Sequence, residues 1–448
     1  MNLNLYHWAG QWLMLDCGMM IDGDAPPESR VLIPDISFIT ERGIKLAGLV
    51  ITHAHEDHIG AVGALARHLE CPIHATPFAA EVIRGRLSEY GRAELIEEHA
   101  PGARFKVGPF GIQYIPITHS TPESQSVVIT TPLGSILHTG DWKLDPEPLV
   151  GQVTHEKRFR ALGKANSIIA AVADSTNATH EGHSGSEAST REAILELAAN
   201  RPGRIIASCF SSNIARLQTL IEAALQSDRH PVLLGRSIER MVRAAQTTGY
   251  LPRDLPFVRG EYADYLPSEK TLVICTGSQG EAAAALPRIA RDAHPLVHLE
   301  EGDTAIFCSK IIPGNEVPIA ALHQALEKRG VTVFCERDAQ IHVSGHPCRE
   351  ELAQMYDWVK PQLVVPVHGY PKHLAAHREF CEGQGIPAVE IRNGDVLRLA
   401  PGEAEVVGQV QVGRVVRPEP PSQRVVQGGG SRIYRPRRGR KDRGRRRR

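Results

Sequence analysis

The chain has 448 residues, of which 42% are hydrophobic and 5% aromatic, and its 51 basic residues balance 51 acidic ones. This length accommodates about two to three domains, each with its own core. No apolar run approaches the ~20 residues needed to span a bilayer, and the first residues lack the basic and apolar regions of a signal peptide. A membrane protein is therefore excluded and a cytoplasmic protein is expected.

Short β-branched runs alternate with helical stretches from the start of the chain, as in LAGLVIT followed by IGAVGALARHL. This alternation predicts an α/β fold. Two β-hairpins are expected, one turning at residues 132–134 and the other at Asn393 and Gly394. After Asp174 the rhythm becomes stricter, as in RIIASCF, NIARLQTLIEAALQ and PVLLG. It predicts a separate parallel-sheet domain of about 160 residues.

The eight cysteines are scattered along the chain without a C-x-x-C pair, and most lie in apolar runs such as RIIASCF and TLVICTG. Such usage indicates reduced, buried thiols in a reducing compartment. It argues against a disulfide framework and against a zinc site made of thiolates.

The balanced charge conceals an asymmetry at the end of the chain. From Gly413 to Arg448, fourteen Arg and Lys residues face only Glu419 and Asp442, a net charge of +12, so residues 1–412 carry −12. Arg-rich tails of this kind are typically disordered and bind polyanions through phosphate contacts. A solvated tail without a specific partner is the alternative.

The sharpest motif is ITHAHEDHIGAV, which places His53, His55, Asp57 and His58 within six residues, directly after the strand-like run LAGLVIT. Residues two apart in an extended loop point the same way, so His53 and His55 can hold one ion while Asp57 and His58 turn toward a second. A structural explanation for all four residues together is improbable.

Two coordination shells need further ligands from elsewhere in the chain. The best candidates are His119 in IPITHSTPES, Asp141 in HTGDWKLD and His368 in VVPVHGYPKH, because each follows an apolar strand-like run. Judged alone, His119 or His368 would more often be a surface or hydrogen-bonded histidine. A surface or hydrogen-bonding role without metal is expected of the remaining histidines, such as His7, His68, His99, His155, His294 and His323.

At this point the sequence resembles a known family. HAHEDH, THSTPES with HTGD, DSTN at Asp174, HVSGH at residues 342–346 and PVHG at His368 are similar to the successive signatures of β-CASP nucleases of the metallo-β-lactamase superfamily. The runs FSSNIARLQ, GRSIERM, TGSQGE and IPGNE resemble the ribonuclease J family specifically. The resemblance extends from about residue 2 to residue 412.

The resemblance implies a fold and a domain order. We expect an α/β metallo-β-lactamase sandwich (αβ/βα) formed by residues 1–184 and 346–412, with a β-CASP domain inserted at residues 185–345. Residues 413–448 would form the basic, disordered tail. Longer members of the family carry a separate C-terminal domain at this position, so a homodimer that depends on that domain stays open here.

The resemblance also implies a ligand set. One ion would be held by His53, His55 and His119 and the second by Asp57, His58 and His368, with Asp141 bridging them. Histidine at position 368, where the DNA-repair branch has an aliphatic residue, resembles the RNA-processing branch. The cleft between the two domains would bind single-stranded RNA. Zinc suits this His-rich set without sulfur, and Mn²⁺ or Mg²⁺ could occupy the second site.

These residues suggest a mechanism. Two ions lower the pKa of water toward neutrality, and Asp57 or Asp141 would accept its proton. His346, oriented by Asp174, would protonate the departing 3′ oxygen. A hydrogen-bonding role of His346 at the domain junction is the alternative.

A nuclease that starts from a 5′ end also needs a pocket for the terminal phosphate. Ser344, Gly345 and His346, with Arg236 and Ser237, supply suitable donors. Arg236 could equally be a salt-bridge partner.

Three other functions compete with the ribonuclease. HAHEDH alone is equally consistent with a hydrolase of small esters or thioesters, although the long insert and basic tail disfavour it. A DNA nuclease of the same superfamily is disfavoured by His368. The third is an RNA-binding scaffold with a vestigial site, which the complete ligand set disfavours. The basic tail could still bind RNA or a partner enzyme in a degradation complex.

Overall fold

The computed structural model of the chain describes residues 1–23, 25–26, 28–199, 201–312 and 314–418. The segment that precedes the inserted domain consists of β1 (Asn4–Trp8), β2 (Gln11–Leu15), β3 (Met20–Ile21), β4 (Val31–Pro34), α1 (Ser37–Glu41), β5 (Leu46–Val50), α2 (Glu56–Ile59), α3 (Val62–Leu69), β6 (Ile73–Ala75), α4 (Pro77–Ser88), β7 (Ile96–Glu98), β8 (Arg104–Val107), β9 (Phe110–Pro116), β10 (Gln125–Thr131), β11 (Gly134–His138), α5 (Glu156–Ala165) and β12 (Ile168–Asp174).

The insert alternates helices and strands: α6 (Glu187–Ala199), β13 (Ile205–Ser208), α7 (Ile214–Gln226), β14 (His230–Leu234), α8 (Arg236–Thr247), β15 (Val258–Arg259), β16 (Thr271–Cys275), α9 (Ala285–Ala290), β17 (Thr304–Phe307), α10 (Glu316–Glu327) and β18 (Thr332–Phe334). The chain then continues with α11 (Arg349–Val359), β19 (Val364–Val367), α12 (Pro371–Gly383), β20 (Asp395–Arg398), β21 (Glu405–Gln409) and β22 (Arg414–Val416).

The segments before and after the insert together form one domain, called the outer domain below, which is a sandwich of two sheets. One sheet has the order β1-β2-β5-β6-β7 and the other β19-β12-β11-β10-β9-β8. Alternating apolar residues of both sheets meet in a shared core, as the period-2 pattern of strands requires. This core comprises Leu13, Leu15, Val50, Val107, Phe110, Ile112, Tyr114, Val127 and Ile129. Strand β19, which follows the insert, lies parallel to β12 and so completes the second sheet.

The insert has its own parallel sheet, of order β15-β14-β16-β13-β17-β18. Helix α7 shows why the prediction succeeds here. Its apolar residues recur every three or four positions, so one stripe faces the sheet, and Asn213 caps its start by accepting a hydrogen bond from the backbone N–H of Arg216 at 2.9 Å. The predicted α/β rhythm therefore corresponds to a real parallel sheet.

One buried carboxylate holds the junction between the two domains. Glu351, on α11, accepts hydrogen bonds from the backbone N–H of Ser184 at 2.8 Å and of Cys348 at 2.9 Å, on the segments that enter and leave the insert. It also accepts one from the backbone N–H of Leu144 at 2.8 Å. The segments that precede and follow the insert are thereby fixed to one side chain.

The two predicted hairpins differ in outcome. Strands β10 and β11 pair antiparallel with Thr131 opposite Gly134, which confirms the first. The hairpin predicted at Asn393 and Gly394 is wrong. The residues before this turn instead lie beside β19, where the backbone N–H of Val389 donates to the carbonyl of Val364, and β20 pairs with β21, farther along the chain.

The start of the predicted tail also needs correction. Arg414–Val416 form β22, which pairs antiparallel with β4 on the side opposite β3. Residues 419–448, which hold most of the predicted basic tail, lie outside the described residues. All eight cysteines are free, and all except Cys335 are buried. Among the described residues, every helix is too short or too polar to cross a membrane.

Candidate metal centre

The seven predicted ligands converge at the carboxyl ends of strands. His53, His55, Asp57 and His58 follow β5, and three further ligands follow β9, β11 and β19 of the second sheet. Asp57 and His58 lie on the short helix α2, for which His55 is the N-cap. The strand order brings these loops to one edge of the sandwich, so residues far apart in sequence share one site. The ligands from the second sheet are His119, Asp141 and His368.

The ligands form two groups that share one carboxylate. Within each group the potential ligand atoms lie within 4.8 Å of one another, and Asp141 belongs to both. Its Oδ2 atom lies 3.1 Å from Nε2 of His58 and 3.6 Å from Nε2 of His368. On the other side the same atom lies 3.7 Å from Nε2 of His53 and 4.0 Å from Nε2 of His119. Asp141 therefore lies between the two groups of side chains.

The first group has the protonation state that a cation needs. Burial lowers the pKa of the His53 and His119 rings well below the ordinary value and that of His55 to about 4, so all three are neutral and can offer a lone pair. Nε2 of His53 is buried and has no hydrogen-bond partner. A buried polar atom without a partner costs free energy, and a bound ion would remove that cost.

The second group pairs two carboxylates, Asp57 and Asp141, with the rings of His58 and His368. Burial raises the pKa of Asp57 and Asp141, but the His58 and His368 rings outweigh burial and hold both carboxyls well below their ordinary values. Burial lowers the pKa of His368, but Asp141, Asp174 and Asp57 together raise it to about 10. The two carboxylates thus favour positive charge on both rings, His58 included. A divalent cation would take the place of the ring protons, and the donor set of nitrogen and oxygen atoms fits such an ion.

Asp16 belongs to the centre but was missed in the sequence. Its Oδ2 atom lies 2.7 Å from Nδ1 of His58, and its carboxylate also accepts hydrogen bonds from the backbone N–H and the hydroxyl of Thr52, at 2.9 and 2.8 Å. A carboxylate on the far nitrogen fixes the ring and tautomer of a metal-binding histidine. The only sequence signal was an Asp directly after the apolar run WLML.

A second missed residue is Asn2. Its Nδ2 atom lies 3.1 Å from Oδ2 of Asp57 and 2.9 Å from Nε2 of His58. Its backbone N–H donates to the carbonyl of Asp57 at 2.7 Å. The first residues of the chain thereby contact the second ligand group, which a single Asn in an ordinary polar context does not reveal.

Asp174 and His346 form a pair beside the ligands. Oδ2 of Asp174 lies 2.7 Å from Nδ1 of His346, and its Oδ1 lies 3.5 Å from Nδ1 of His368. The His346 ring stacks on the His368 ring with centroids 5.4 Å apart. Burial lowers the pKa of His346, but the Asp174 carboxylate outweighs burial and raises it above the ordinary value. The Asp174 carboxylate thus favours the charged form of this imidazole next to the ligand groups.

The HVSGH segment contacts the centre directly. The carbonyl of Gly345 lies 2.6 Å from Nδ1 of His119, and an added Cβ at Gly345 would approach Cε1 of that ring to 2.8 Å. Asn177, in the DSTN motif, donates to the Ser344 hydroxyl at 2.7 Å and to the His346 carbonyl at 3.0 Å. The junction with the insert therefore orients the His119 ring.

A cleft of ≈ 2570 Å³ opens over the centre and runs between the domains. Four of the five residues predicted to bind a terminal phosphate line it: Ser237, Ser344, Gly345 and His346. Arg236 is exposed at the start of α8 and is not among the described residues that line the cleft. Phe210, Tyr370 and Lys310 also line the cleft, and both aromatic rings are partly exposed.

Three family models match successive parts of the chain. The metallo-β-lactamase superfamily matches residues 9–208, the ribonuclease J β-CASP domain matches residues 202–326, and the RNA specificity domain of Zn-dependent metallo-hydrolases matches residues 321–389. The fold and the site thus define a metallo-β-lactamase-type hydrolase with a β-CASP insertion, and the predicted fold class is confirmed.

Similar proteins of known family indicate which metallo-β-lactamase-type hydrolases this chain belongs with. Ribonuclease J of Sinorhizobium meliloti is 44% identical over 424 residues, which cover 93% of this chain and 75% of the relative. Ribonuclease J of Mycolicibacterium smegmatis is 35% identical, with 92% and 75% covered, and that of Helicobacter pylori strain J99 is 34% identical, with 90% and 59% covered. The chain belongs to the ribonuclease J family. The prediction of a metal-dependent RNA nuclease is supported by the same matches.

A solved structure shares the fold. A protein of unknown function from Enterococcus faecalis V583 superposes with a TM-score of 0.58, at 14% sequence identity, over 90% of this chain and 96% of that one. At this identity the likeness concerns the architecture alone.

Proposed function

We propose that this protein hydrolyses phosphodiester bonds of single-stranded RNA with two divalent ions, acting from the 5′ end, internally, or both. The observation that carries the proposal is the pair of ligand groups joined by Asp141, next to the Asp174–His346 pair, on the floor of an interdomain cleft. The ribonuclease J relatives and the match to an RNA specificity domain support RNA as the substrate.

Zinc is the proposed metal, with Mn²⁺ or Mg²⁺ as an alternative at the second position. His53, His55 and His119 would hold the first ion, and Asp57, His58 and His368 the second, with Asp141 shared. Three nitrogen ligands suit zinc, and the two carboxylates of the second group also suit harder cations. Bound divalent ions supply a nucleophile at neutral pH and neutralise charge on the phosphate.

The side chains divide the proton transfers between them. His346 lines the cleft with one ring nitrogen bound to Asp174, so the other is available to protonate the departing 3′ oxygen. Asp174 orients this ring and supports its charged form. Asp57 and Asp141 are ionised, so either can accept the proton that the attacking water loses.

The terminal phosphate would be bound where HVSGH meets the start of α8. Ser344 supplies a hydroxyl, Gly345 a backbone amide and His346 a positive charge, with Ser237 across the cleft. Arg236, at the start of the same helix as Ser237, would reach the phosphate from the rim. Phe210 and Tyr370 offer ring faces on which unpaired bases can stack.

The proposal is tested with single-stranded RNA labelled at its 3′ end and bearing either a 5′-monophosphate or a 5′-triphosphate. Wild-type protein should degrade the RNA and prefer the monophosphate, and both a chelator and His58→Ala should abolish degradation. His230→Ala, at an exposed histidine on the insert, is the matched control and should behave as wild type. Intact RNA with metal-loaded wild type would refute the proposal and favour a small-molecule substrate.

Three further features of the proposal concern the cellular setting. Seven buried, free thiols support a reducing, cytoplasmic location. The basic tail, outside the described residues, would bind RNA or a partner in a degradation complex. The proposed assembly is a homodimer in which the outer domain and the insert form the contact between subunits. Sedimentation at micromolar concentration would test it.

A further inference from the structure

Another group of potential ligand side chains lies at the edge of the first sheet. His74 is on β6, Glu97 is on the edge strand β7, and His99 follows β7 directly. The parallel register pairs His74 with Glu97. None of the three residues belongs to the three groups that contain Asp141, so this cluster is separate from the candidate metal centre.

The separations within the cluster are those of a metal site. One ligand atom from each residue lies within 4.8 Å of the others. Nδ1 of His74 is 3.0 Å from Nε2 of His99 and 3.4 Å from the carboxylate of Glu97. In a tetrahedral zinc site with bonds of about 2.0–2.1 Å, neighbouring ligand atoms lie roughly 3.3 Å apart. The two observed distances bracket that value.

The rings are held in place by packing. The His99 ring is stacked on Phe105 with centroids 3.7 Å apart and planes within 5°, and the His74 ring lies 5.3 Å from the same ring. The backbone N–H of His99 donates to the carbonyl of Ala75 at 2.9 Å. Little side-chain freedom is therefore lost when a ligand binds, which favours affinity.

A hydrogen-bonded histidine pair is the simpler interpretation of the cluster. It uses one N–H between the rings and leaves the Glu97 carboxylate, whose side chain is 56% exposed, without a role. An ion pair would need a charged ring, yet burial lowers the pKa of His74 to about 4 and that of His99 below its ordinary value. Neutral rings and an ionised carboxylate are instead the forms that bind metal.

We propose that His74, Glu97 and His99 bind a third divalent transition-metal ion, of the zinc class. Two histidines and one carboxylate leave a fourth position for water. The ion would join β6 to the edge strand and to the segment that leads into β8. It would therefore stabilise the sheet that carries the HAHEDH loop without taking part in the reaction.

The test is a count of zinc ions per chain. Metal-stripped full-length protein is dialysed to equilibrium against buffered zinc, and bound metal is measured by mass spectrometry for wild type and three variants. His99→Phe removes the ring nitrogen and keeps an aromatic ring against Phe105. Glu97→Gln removes the charge at an exposed position. Glu98→Gln, next along the strand and ion-paired with Arg84, is the matched control.

The proposal predicts that His99→Phe and Glu97→Gln each bind one zinc ion fewer than wild type, while Glu98→Gln binds as many as wild type. RNA degradation should stay at the wild-type rate in all three variants. Equal zinc content in all four proteins would overturn the proposal. Loss of RNA degradation together with the zinc would overturn the separation from the catalytic centre. The difference in zinc content is independent of how many ions the Asp141 groups hold, so the outcome leaves the proposed ribonuclease activity untouched.

Discussion

Oδ2 of Asp174 lies 2.7 Å from Nδ1 of His346, although 172 residues separate the two in sequence and the whole insert lies between them. The other oxygen of the same carboxylate accepts a hydrogen bond from the backbone N–H of Thr176 at 2.9 Å and lies 3.5 Å from Nδ1 of His368. One buried side chain thus orients both the proposed acid and a proposed metal ligand.

If His346 protonates the departing oxygen, His346→Gln should lower kcat by about 10²–10⁴-fold, the usual range for a general acid. His346 shares a group of potential ligand atoms with Asp141, Asp174 and His368 but belongs to neither group that contains His53 or His58, so we expect zinc content to match wild type. Single-turnover kinetics and metal analysis on the same sample check both statements. A large loss of zinc in His346→Gln would instead assign the residue to metal binding.

Asp16 should strengthen binding of the second proposed ion, because it orients the His58 ring. Asp16→Asn keeps the shape of the side chain but removes the charge 2.7 Å from the ring. We expect metal affinity to fall by about 10–100-fold, as for other carboxylates behind histidine ligands. Competition with a chelator of known affinity measures the change. Asp254→Asn, at an exposed position on the insert, should leave the affinity unaltered.

Gly345→Ala should disturb the centre through crowding. The new methyl group would lie 2.8 Å from Cε1 of His119, so the ring or the HVSGH segment must shift. We therefore expect weaker zinc binding and slower RNA cleavage, with a wild-type circular dichroism spectrum. Gly408→Ala is the control, because nothing lies within 4 Å of its added Cβ. Equal effects of the two substitutions would contradict the crowding argument.

Stability of the insert should depend on the buried pair of Glu187 and Arg216. Nη2 of Arg216 donates to Glu187 at 2.9 Å, and its Nη1 donates to the carbonyls of Cys308 and Ile341 at 2.8 and 2.6 Å. Glu187→Ala leaves a buried charge without its partner and should cost about 3–5 kcal/mol in the free energy of unfolding. Urea denaturation measures the cost.

The same substitution at Glu222, whose pair with Arg191 is about one third exposed, should cost only about 0–1 kcal/mol. The buried pair also predicts a dependence on pH. Burial raises the pKa of Glu187, but Arg216 and Lys143 outweigh burial and hold it below the ordinary value. Its contribution is therefore complete above about pH 4.3, the ordinary pKa of Glu, and is lost as the pH falls through the folded-state value. Wild type should lose more stability than Glu187→Ala over that range.

The sequence predicted the candidate metal ligands better than the residues that hydrogen-bond to those ligands. His53 and His58 were found because several metal ligands fall within six residues, and Asp141 because it follows an apolar strand. Asp16 and Asn2 act through contacts with residues more than 40 positions away, and neither stands in a motif of its own. Only the strand order brings them to the centre.

The prediction of β-hairpins from turn residues also failed where contacts distant in sequence decide the structure. The Pro132 turn is closed by strands that are neighbours in both sequence and sheet, so local pairing and tertiary structure agree. At Asn393 the preceding residues pack beside β19 instead, because the bridge from Ala388 to Val364 places them there. An Asn-Gly signal cannot show that a strand from another part of the chain competes for the same partner.

Glu351 has a consequence for how such a protein can arise. Because the entering and leaving segments both donate to this one carboxylate, the two ends of the insert lie side by side on the surface of the sandwich. A short peptide could join them without stretching the outer sheets. The chain therefore leaves the sandwich and returns to it at one point, so an inserted domain of this size covers the reactive groups while β12 and β19 stay paired in one sheet.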